Sequence, residues 1–147
     1  MDADRQAPVF SEGRIEVSAS PEVLWDVMAD FENWPAWNPD VESVALGGPV
    51  TEGTVFRWKA GPSRLVSTLQ RVERPHALGW TGRTMGIRAI HLWRFEPDPG
   101  GAIASTEESF NGAVAKLIQK RLQKQLDGTT TKGLEALKRA AERRGEV

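Results

Sequence analysis

Apolar residues recur at helical spacing just after a run of small and polar residues near the start of the chain. The sequence SASPEVLWDVMADF opens with Ser20, which can cap a helix, and Pro21, which suits the first helical position. A stripe with three- and four-residue spacing follows and predicts a helix; its members are Val23, Leu24, Val27, Met28 and Phe31. Prolines at 35 and 39 allow at most one further helical turn.

Short strand-like runs separated by turn residues replace this pattern between positions 41 and 110. Glycine- or proline-containing turns fall at 47–49, 60–63, 73–76, 84–86 and 97–101. The runs between them predict strands, and they read TVFRWKA, RLVSTLQRV, ALGWTGR, IRAIHLWRF and AIASTEESF. FSEGRIEVS adds a strand before the first helix. Turns this closely spaced imply hairpins, and therefore an antiparallel sheet of about seven strands.

Helical spacing returns over residues 113–144. The apolar positions of this segment recur at three- and four-residue steps, and they are Val114, Leu117, Ile118, Leu122, Leu126, Leu134 and Leu137. Gly128 and Gly133 weaken the predicted helix, because glycine costs about 1 kcal/mol relative to alanine. Either the helix breaks near Gly128, or the glycines are tolerated because another group lies close to the backbone.

The predicted order is strand, helix, short helix, about six strands and a long C-terminal helix. This order is an α+β arrangement, in which a curved antiparallel sheet wraps around the long helix and covers its apolar stripe. A length of 147 residues fits one domain, so we expect residues 1–147 to form a single unit. Residues 1–9 are predicted to be a loose tail.

Four stretches carry a resemblance to a known superfamily: SASPEVLWDVMADFENWPAWNPDVESV, HLWRF, PDPGGAIA and EESFNG. Together with the element order, they resemble the helix-grip superfamily that includes START domains, pollen-allergen-like proteins and polyketide cyclase/dehydrase-like proteins, often grouped as SRPBCC. The resemblance covers about residues 10–142. It implies an apolar cavity between the sheet and the long helix, but it is weak evidence for function, because this fold hosts many ligands and several chemistries.

Alternation with period two assigns the faces of the predicted strands. In IRAIHLWRF the arginines mark the solvent face, so the opposite face points inward with Ile87, Ala89, His91, Trp93 and Phe95. The same argument turns Phe56, Trp58, Leu78 and Trp80 inward, and we place Leu65, Ser67 and Leu69 inside as well. This surface is either an aromatic core or, as the resemblance favours, the wall of a ligand pocket.

Two further segments complete the predicted pocket. In the stretch ENWPAWNPDVESV, one tryptophan is expected to face the pocket and the other to plug the corner between helix and sheet; we assign Trp37 to the pocket and Trp34 to the corner, or the reverse. On the long helix, Leu126, Thr130 and Gly133 fall on the apolar side, where small residues leave room over the sheet. The predicted ligand-binding residues are Trp37, Phe56, Trp58, Trp80, His91, Trp93, Phe95, Glu108, Leu126, Thr130 and Gly133.

His91 and Glu108 are the most conspicuous polar pair. If the turn PDPGG folds the two flanking strands together, His91 stands opposite Glu108 and Trp93 opposite Thr106. The pair is then either a structural contact that holds the hairpin, or a polar anchor or acid–base pair for a bound carbonyl or hydroxyl compound. These two residues are the only catalytic candidates.

Composition and charge exclude several classes of site. The chain has no cysteine and two histidines, which makes a metal site improbable; we expect no metal and no cofactor. No signal peptide and no membrane-length apolar run is visible, so a cytoplasmic location without membrane insertion is expected. Residues 113–144 carry nine Lys and Arg against three acids, but without interleaved aromatics a solvated helix face is favoured over nucleic-acid or membrane binding.

The favoured hypothesis is a domain that binds a small hydrophobic or aromatic molecule between the sheet and the C-terminal helix. A polyketide cyclase or dehydratase is the alternative, because a shaped pocket with one or two polar groups can fold a flexible substrate and assist proton transfer. A chaperone-like or partner-binding use of the same groove ranks third. No decisive nucleophile or base is present, and for this reason binding ranks first.

Overall fold

A computed structural model describes residues 1–145 and shows a seven-stranded antiparallel sheet with a long C-terminal helix. The strands are β1 (Val9–Val17), β2 (Val41–Leu46), β3 (Val55–Ala60), β4 (Ser63–Glu73), β5 (Ala77–Thr84), β6 (Ile87–Asp98) and β7 (Gly101–Asn111). Their spatial order is β1-β7-β6-β5-β4-β3-β2. The helices are α1 (Pro21–Ala29), α2 (Trp34–Trp37), α3 (Ala113–Leu117) and α4 (Gln119–Gly145), and a 3-10 turn, Phe31–Asn33, precedes α2. The predicted helix-grip fold is confirmed.

Helix α1 begins where the sequence predicts. The Ser20 side chain accepts a hydrogen bond from the Val23 backbone N–H at 3.2 Å, and Pro21 occupies the first helical position. Four residues of the apolar stripe are buried as expected, Leu24, Val27, Met28 and Phe31, and Val23 is partly buried. Trp25, which lies outside that stripe, is buried too, because its indole N–H donates to the carbonyl of Ala77 at 3.0 Å.

The C-terminal helical region is interrupted at Ile118, whose φ of −116° and ψ of 31° end α3. The break near Gly128 that the sequence left open does not occur, since α4 runs continuously from Gln119 to Gly145. Leu126 and Leu137 are buried on either side of the two glycines, and this packing holds the helix together. The predicted burial of Leu117 is wrong: its side chain is 84% exposed.

The first residues lie against the outer face of the sheet, where a loose tail was expected. The backbone N–H of Ala3 donates to Glu107 at 3.2 Å, and that of Asp4 donates to the Ser109 hydroxyl at 3.0 Å. Val9 is already a fully buried residue of β1. Polar contacts to β7 hold this segment against the sheet, and no local sequence pattern indicates these contacts. Of the predicted unit 1–147, residues 146 and 147 lie outside the described part of the chain.

The long helix crosses the inner face of the sheet with its most extensive contacts on β1. Gly13 explains this close approach, since a Cβ atom at that position would lie 2.8 Å from Leu134 Cδ1. Toward β3 and β4 the helix stands away from the sheet. The space that remains between them forms the candidate site.

Candidate functional site

A cavity of about 610 Å³ lies between the inner face of the sheet and α4. Its mouth is at the end of the molecule where the β3–β4 and β5–β6 turns, the start of β2 and the end of β7 meet. Side chains of the middle of the sheet and one face of α4 form the walls, and these include Trp58, Leu65, Ile87, Ala89, His91, Trp93, Thr106, Glu108, Phe110, Leu122, Leu126, Thr130 and Gly133.

The opposite end of the sheet is filled by an aromatic cluster. The Phe31 ring lies 4.8 Å from both Trp34 and Phe56, and Trp34 lies 5.3 Å from Trp80. The Trp34 indole N–H donates to the carbonyl of Met28 at 2.9 Å. Trp34 is therefore the residue that plugs the corner between α1 and the sheet, as one of the two sequence alternatives proposed.

Seven of the predicted ligand-binding residues reach the cavity wall: Trp58, His91, Trp93, Glu108, Leu126, Thr130 and Gly133. Phe56, Trp80 and Phe95 point to the predicted face, but they lie farther from the mouth, where α1 and Trp34 cover them and leave at most 3% of each exposed. Trp37 does not line the cavity either; it is half-buried against the edge of the core. Strand alternation gives the face of a residue but not its depth along the strand.

The cavity wall also contains residues that the sequence interpretation did not single out as ligand contacts. Thr106 and Phe110 share the inner face of β7 with Glu108, and period two along that strand was a sufficient signal for both. The loop residues 38–40 and 61–62 also line the mouth. Neither alternation nor helical spacing applies to such loops, so no sequence signal indicated them.

The predicted register of the β6–β7 hairpin is confirmed, with His91 opposite Glu108 and Trp93 opposite Thr106. His91 Nε2 lies 2.9 Å from the Thr106 hydroxyl oxygen, and that hydroxyl donates to the carbonyl of Leu92 at 3.1 Å. Because the single hydroxyl hydrogen goes to the carbonyl, the Thr106 oxygen must accept from His91. The neutral imidazole therefore carries its hydrogen on Nε2, and its Nδ1 is left as an acceptor.

His91 Nδ1 faces the Glu108 carboxyl, with 3.5 Å between Nδ1 and Oε2. Burial away from bulk water lowers the pKa of His91 from 6.5 to about 3 and raises the pKa of Glu108 from 4.5 to about 8. At neutral pH the pair is therefore an uncharged imidazole beside an uncharged carboxylic acid. Such an acid can donate a hydrogen bond to a ligand or to Nδ1, as buried protonated carboxyls do in some enzymes.

The two indoles of the wall differ in their hydrogen bonds. Trp58 Nε1 donates to the Ser67 hydroxyl at 3.0 Å, so its N–H is satisfied. The buried Nε1 of Trp93 has no hydrogen-bond partner within residues 1–145. A buried N–H without a partner is costly, and this one belongs to a residue of the cavity wall. The arrangement therefore offers a ligand one carboxylic acid within an otherwise mostly apolar wall, whereas the Trp93 N–H is covered by surrounding protein atoms.

Two kinds of feature were not found in the described part of the chain. Residues 1–145 contain no group of three or more His, Cys, Asp or Glu side chains arranged to hold a metal ion. No helix among them is long and apolar enough to cross a membrane.

Comparisons with known proteins place this geometry in a family. A family model described as polyketide cyclase / dehydrase and lipid transport matches residues 10–142. No curated protein matches the chain. A hypothetical protein from Helicobacter pylori superposes with a TM-score of 0.82 at 14% identity, covering 93% of this chain and 90% of that one. A START superfamily protein from Mycobacterium smegmatis gives a TM-score of 0.69 at 16% identity, with 93% and 97% covered.

A third similar structure is a di-domain ARO/CYC protein, StfQ, from the steffimycin biosynthetic pathway. It superposes with a TM-score of 0.76 at 16% identity and covers 95% of this chain, which corresponds to 52% of the larger protein. At these identities the three likenesses establish a shared fold and nothing finer.

Proposed function

The chain belongs to the polyketide cyclase / dehydrase and lipid transport family, and we propose that it binds a small hydrophobic or aromatic molecule in the cavity between the sheet and α4. The observation that carries this proposal is the cavity itself. Its volume of about 610 Å³ falls within the range of roughly 300–1,000 Å³ that is typical of small-molecule sites. An ordinary protein core is packed so closely that it contains few voids larger than a water molecule, so a cavity of this volume is not a packing defect.

The wall supports an uncharged ligand with at least one polar atom. Trp58, Leu65, Ile87 and Phe110 supply apolar and aromatic surface. The Trp93 N–H is buried and has no partner within residues 1–145, and a ligand oxygen that displaces the atoms covering it would satisfy this donor. A neutral aromatic ketone or phenol combines both requirements.

Binding can be tested with matched ligands. We expect 2-acetylnaphthalene to bind, measured by equilibrium dialysis, and to quench intrinsic fluorescence, all of which comes from tryptophan because the chain has six tryptophans and no tyrosine. Leu126→Trp, which fills the cavity from α4, should abolish binding while circular dichroism shows the fold intact. If neither this ketone nor a panel of larger aromatic and lipid-like compounds binds, the proposed function is wrong.

A cyclase or dehydratase activity is the second candidate, and the His91–Glu108 pair is the observation that favours it. In the dehydration of a β-hydroxy ketone, a movement of the His91 ring would bring its Nδ1, which is buried in this structure, to the α-proton, and Glu108 would protonate the departing hydroxyl, which leaves as water while the C=C bond forms. The proton on Nδ1 could then return to Glu108 across the 3.5 Å gap. This candidate ranks below binding, because an imidazole with a pKa of about 3 is a weak base at neutral pH.

The dehydration of 4-hydroxy-4-(2-naphthyl)butan-2-one tests this second candidate, since the conjugated enone product absorbs at longer wavelength. An active protein should lose turnover in both His91→Phe and Glu108→Gln, while dialysis shows that both variants still bind the ketone. If the wild-type protein binds the ketone but dehydrates it no faster than the uncatalysed reaction, the cyclase or dehydratase function is wrong and only the binding function remains.

A further inference from the structure

The two most exposed large apolar side chains of residues 1–145 lie at the mouth end of the molecule. Met85, in the β5–β6 turn, is 80% exposed, and Leu117, at the end of α3, is 84% exposed. The two segments touch, because Val114 of α3 lies against Gly86, where a Cβ atom would be 3.0 Å from Val114 Cγ2. Met85, Val114, Leu117 and Ile118, the last two at the helix interruption, form a surface that we call the apolar rim.

Turn stability does not account for the methionine of this rim. Met85 has a φ of +46°, in the left-handed region that glycine and asparagine occupy readily and that a longer side chain occupies at a cost. The side chain makes no compensating burial, since most of it is exposed. Asparagine at this position would suit the two-residue turn better. A strained, exposed methionine beside an exposed leucine therefore points to a contact outside the chain.

The surroundings of the rim are strongly basic. Residues 113–126 contain no acidic side chain and four basic ones, Lys116, Lys120, Arg121 and Lys124, all exposed. Arg83 and Arg88 stand opposite each other on the strands that carry the Met85 turn, and both are exposed. Two acids near this surface are hydrogen-bonded, Asp127 to Gln123 and Asp4 to Asn111, and of the two acids at the cavity mouth, Asp40 and Glu42, Glu42 is paired with Lys59. The rim is thus a small apolar surface within a basic one.

We propose that the apolar rim docks the protein on an anionic lipid membrane, with Met85 and Leu117 entering the interfacial layer and the surrounding Lys and Arg side chains contacting the headgroups. Apolar side chains within a basic face are the composition that favours binding at such an interface, and each basic residue near the surface adds attraction to anionic lipid. No segment crosses the bilayer in this arrangement.

Three observations favour a membrane over a protein surface. The rim consists of flexible side chains that project from a turn tip and a helix end, and a fluid apolar phase accommodates such projections without a shaped partner surface. A second copy of the chain is disfavoured, because the same basic face on both copies would repel. The rim also borders the cavity mouth, where Thr84 and Leu122 line the opening, so an apolar ligand could pass between cavity and membrane with little exposure to water.

Vesicle co-sedimentation tests the proposal with the full-length protein. The wild-type chain should sediment with vesicles of phosphatidylcholine and phosphatidylglycerol and stay in solution with phosphatidylcholine alone. The double variant Met85→Asn, Leu117→Gln should weaken the partition about tenfold or more, since two apolar side chains are lost. The asparagine should not lower the melting temperature, because it adopts the left-handed backbone more readily.

Charge reversal provides a matched comparison along the same helical region. Lys116→Glu, Lys120→Glu should reduce binding to anionic vesicles roughly thirtyfold or more, whereas Arg139→Glu, Arg143→Glu, at the far end of α4, should leave it within about threefold. Equal losses in the two charge variants, or a Met85→Asn, Leu117→Gln variant that binds like the wild type, would overturn the proposal. A wild-type protein that ignores anionic vesicles, or that forms a dimer dissolved by the apolar substitutions, would overturn it as well. None of these outcomes depends on whether a ligand occupies the cavity.

Discussion

Replacing Glu108 by glutamine tests whether the cavity wall holds an uncharged carboxylic acid at neutral pH. Burial raises the pKa of Glu108 from 4.5 to about 8, so between these values the folded protein keeps a proton that the unfolded chain has released. Stability therefore falls as pH rises through this window, and the loss is complete above about pH 8. The amide of Glu108→Gln has no such proton, so the variant should lack this part of the pH dependence.

His91 contributes with the opposite sign in a lower window. Burial lowers the pKa of His91 from 6.5 to about 3, so the unfolded chain binds the extra proton there and stability rises with pH up to about 6.5. The two slopes oppose each other between pH 4.5 and 6.5, and only the Glu108 slope remains from 6.5 to 8. At about 1.4 kcal/mol per pKa unit, that interval is worth at most about 2 kcal/mol. The loss of unfolding free energy is smaller than this limit, because 18% of the Glu108 side chain is accessible to water in the cavity.

Urea unfolding followed by tryptophan fluorescence between pH 6.5 and 8.5 measures the effect. The wild-type protein should lose up to about 2 kcal/mol of unfolding free energy over this interval relative to Glu108→Gln. Glu96→Gln, which removes an exposed carboxyl from the same hairpin, controls for the loss of one ionised carboxylate from the unfolded chain. If the wild-type and Glu108→Gln curves stay parallel, Glu108 is ionised in the folded protein and the argument for an uncharged cavity wall is refuted.

Two further predictions concern the wall itself. Gly133→Leu should lower the affinity for 2-acetylnaphthalene more than it lowers stability, because Gly133 lines the cavity and a Cβ there would meet Trp93 Cη2 at an unstrained 3.9 Å. The control is Gly128→Ala, where the added Cβ would lie in open space. This variant should stabilise the helix by about 0.5–1 kcal/mol and leave the affinity unchanged. Calorimetry would contradict this if both variants bound equally well. Trp93→Phe should reduce the preference for 2-acetylnaphthalene over its isostere 2-isopropenylnaphthalene by about two- to tenfold, the net value of one hydrogen bond. In Trp58→Phe the preference should persist, because that N–H already donates to Ser67; equal preferences in the two variants would argue against the Trp93 donor.

The element order could be predicted because local signals and burial agree along most of the chain. The Ser20 cap, the α1 stripe and the closely spaced turns each have a mechanism within a few residues of sequence. The C-terminal region shows the limit of that reasoning, since Leu117 and Leu126 have the same helical spacing but only Leu126 is covered by the sheet. Helical period indicates a face, whereas burial depends on whether a partner element extends that far.

The polar pair of the site could be predicted because the segment PDPGG marks the hairpin turn, whose two residues between β6 and β7 are Pro99 and Gly100. Its chemistry could not, since the hydrogen position on His91 depends on Thr106, whose hydroxyl is committed to the carbonyl of Leu92. The number of aromatic residues in the wall was overestimated for a similar reason. Phe95 and Trp93 share a face, but Phe95 lies deeper, where α1 closes over the sheet.

The distribution of charge around the cavity restricts how a ligand can lie in it. The deep wall offers only neutral groups at pH 7, because burial keeps both His91 and Glu108 uncharged. The cationic side chain that lines the cavity, Arg83, is an exposed residue of the mouth. An ionised group on a ligand would meet no countercharge deep inside, where desolvation is most costly. A ligand with one anionic end should therefore bind with its apolar end inward and its charge beside Arg83.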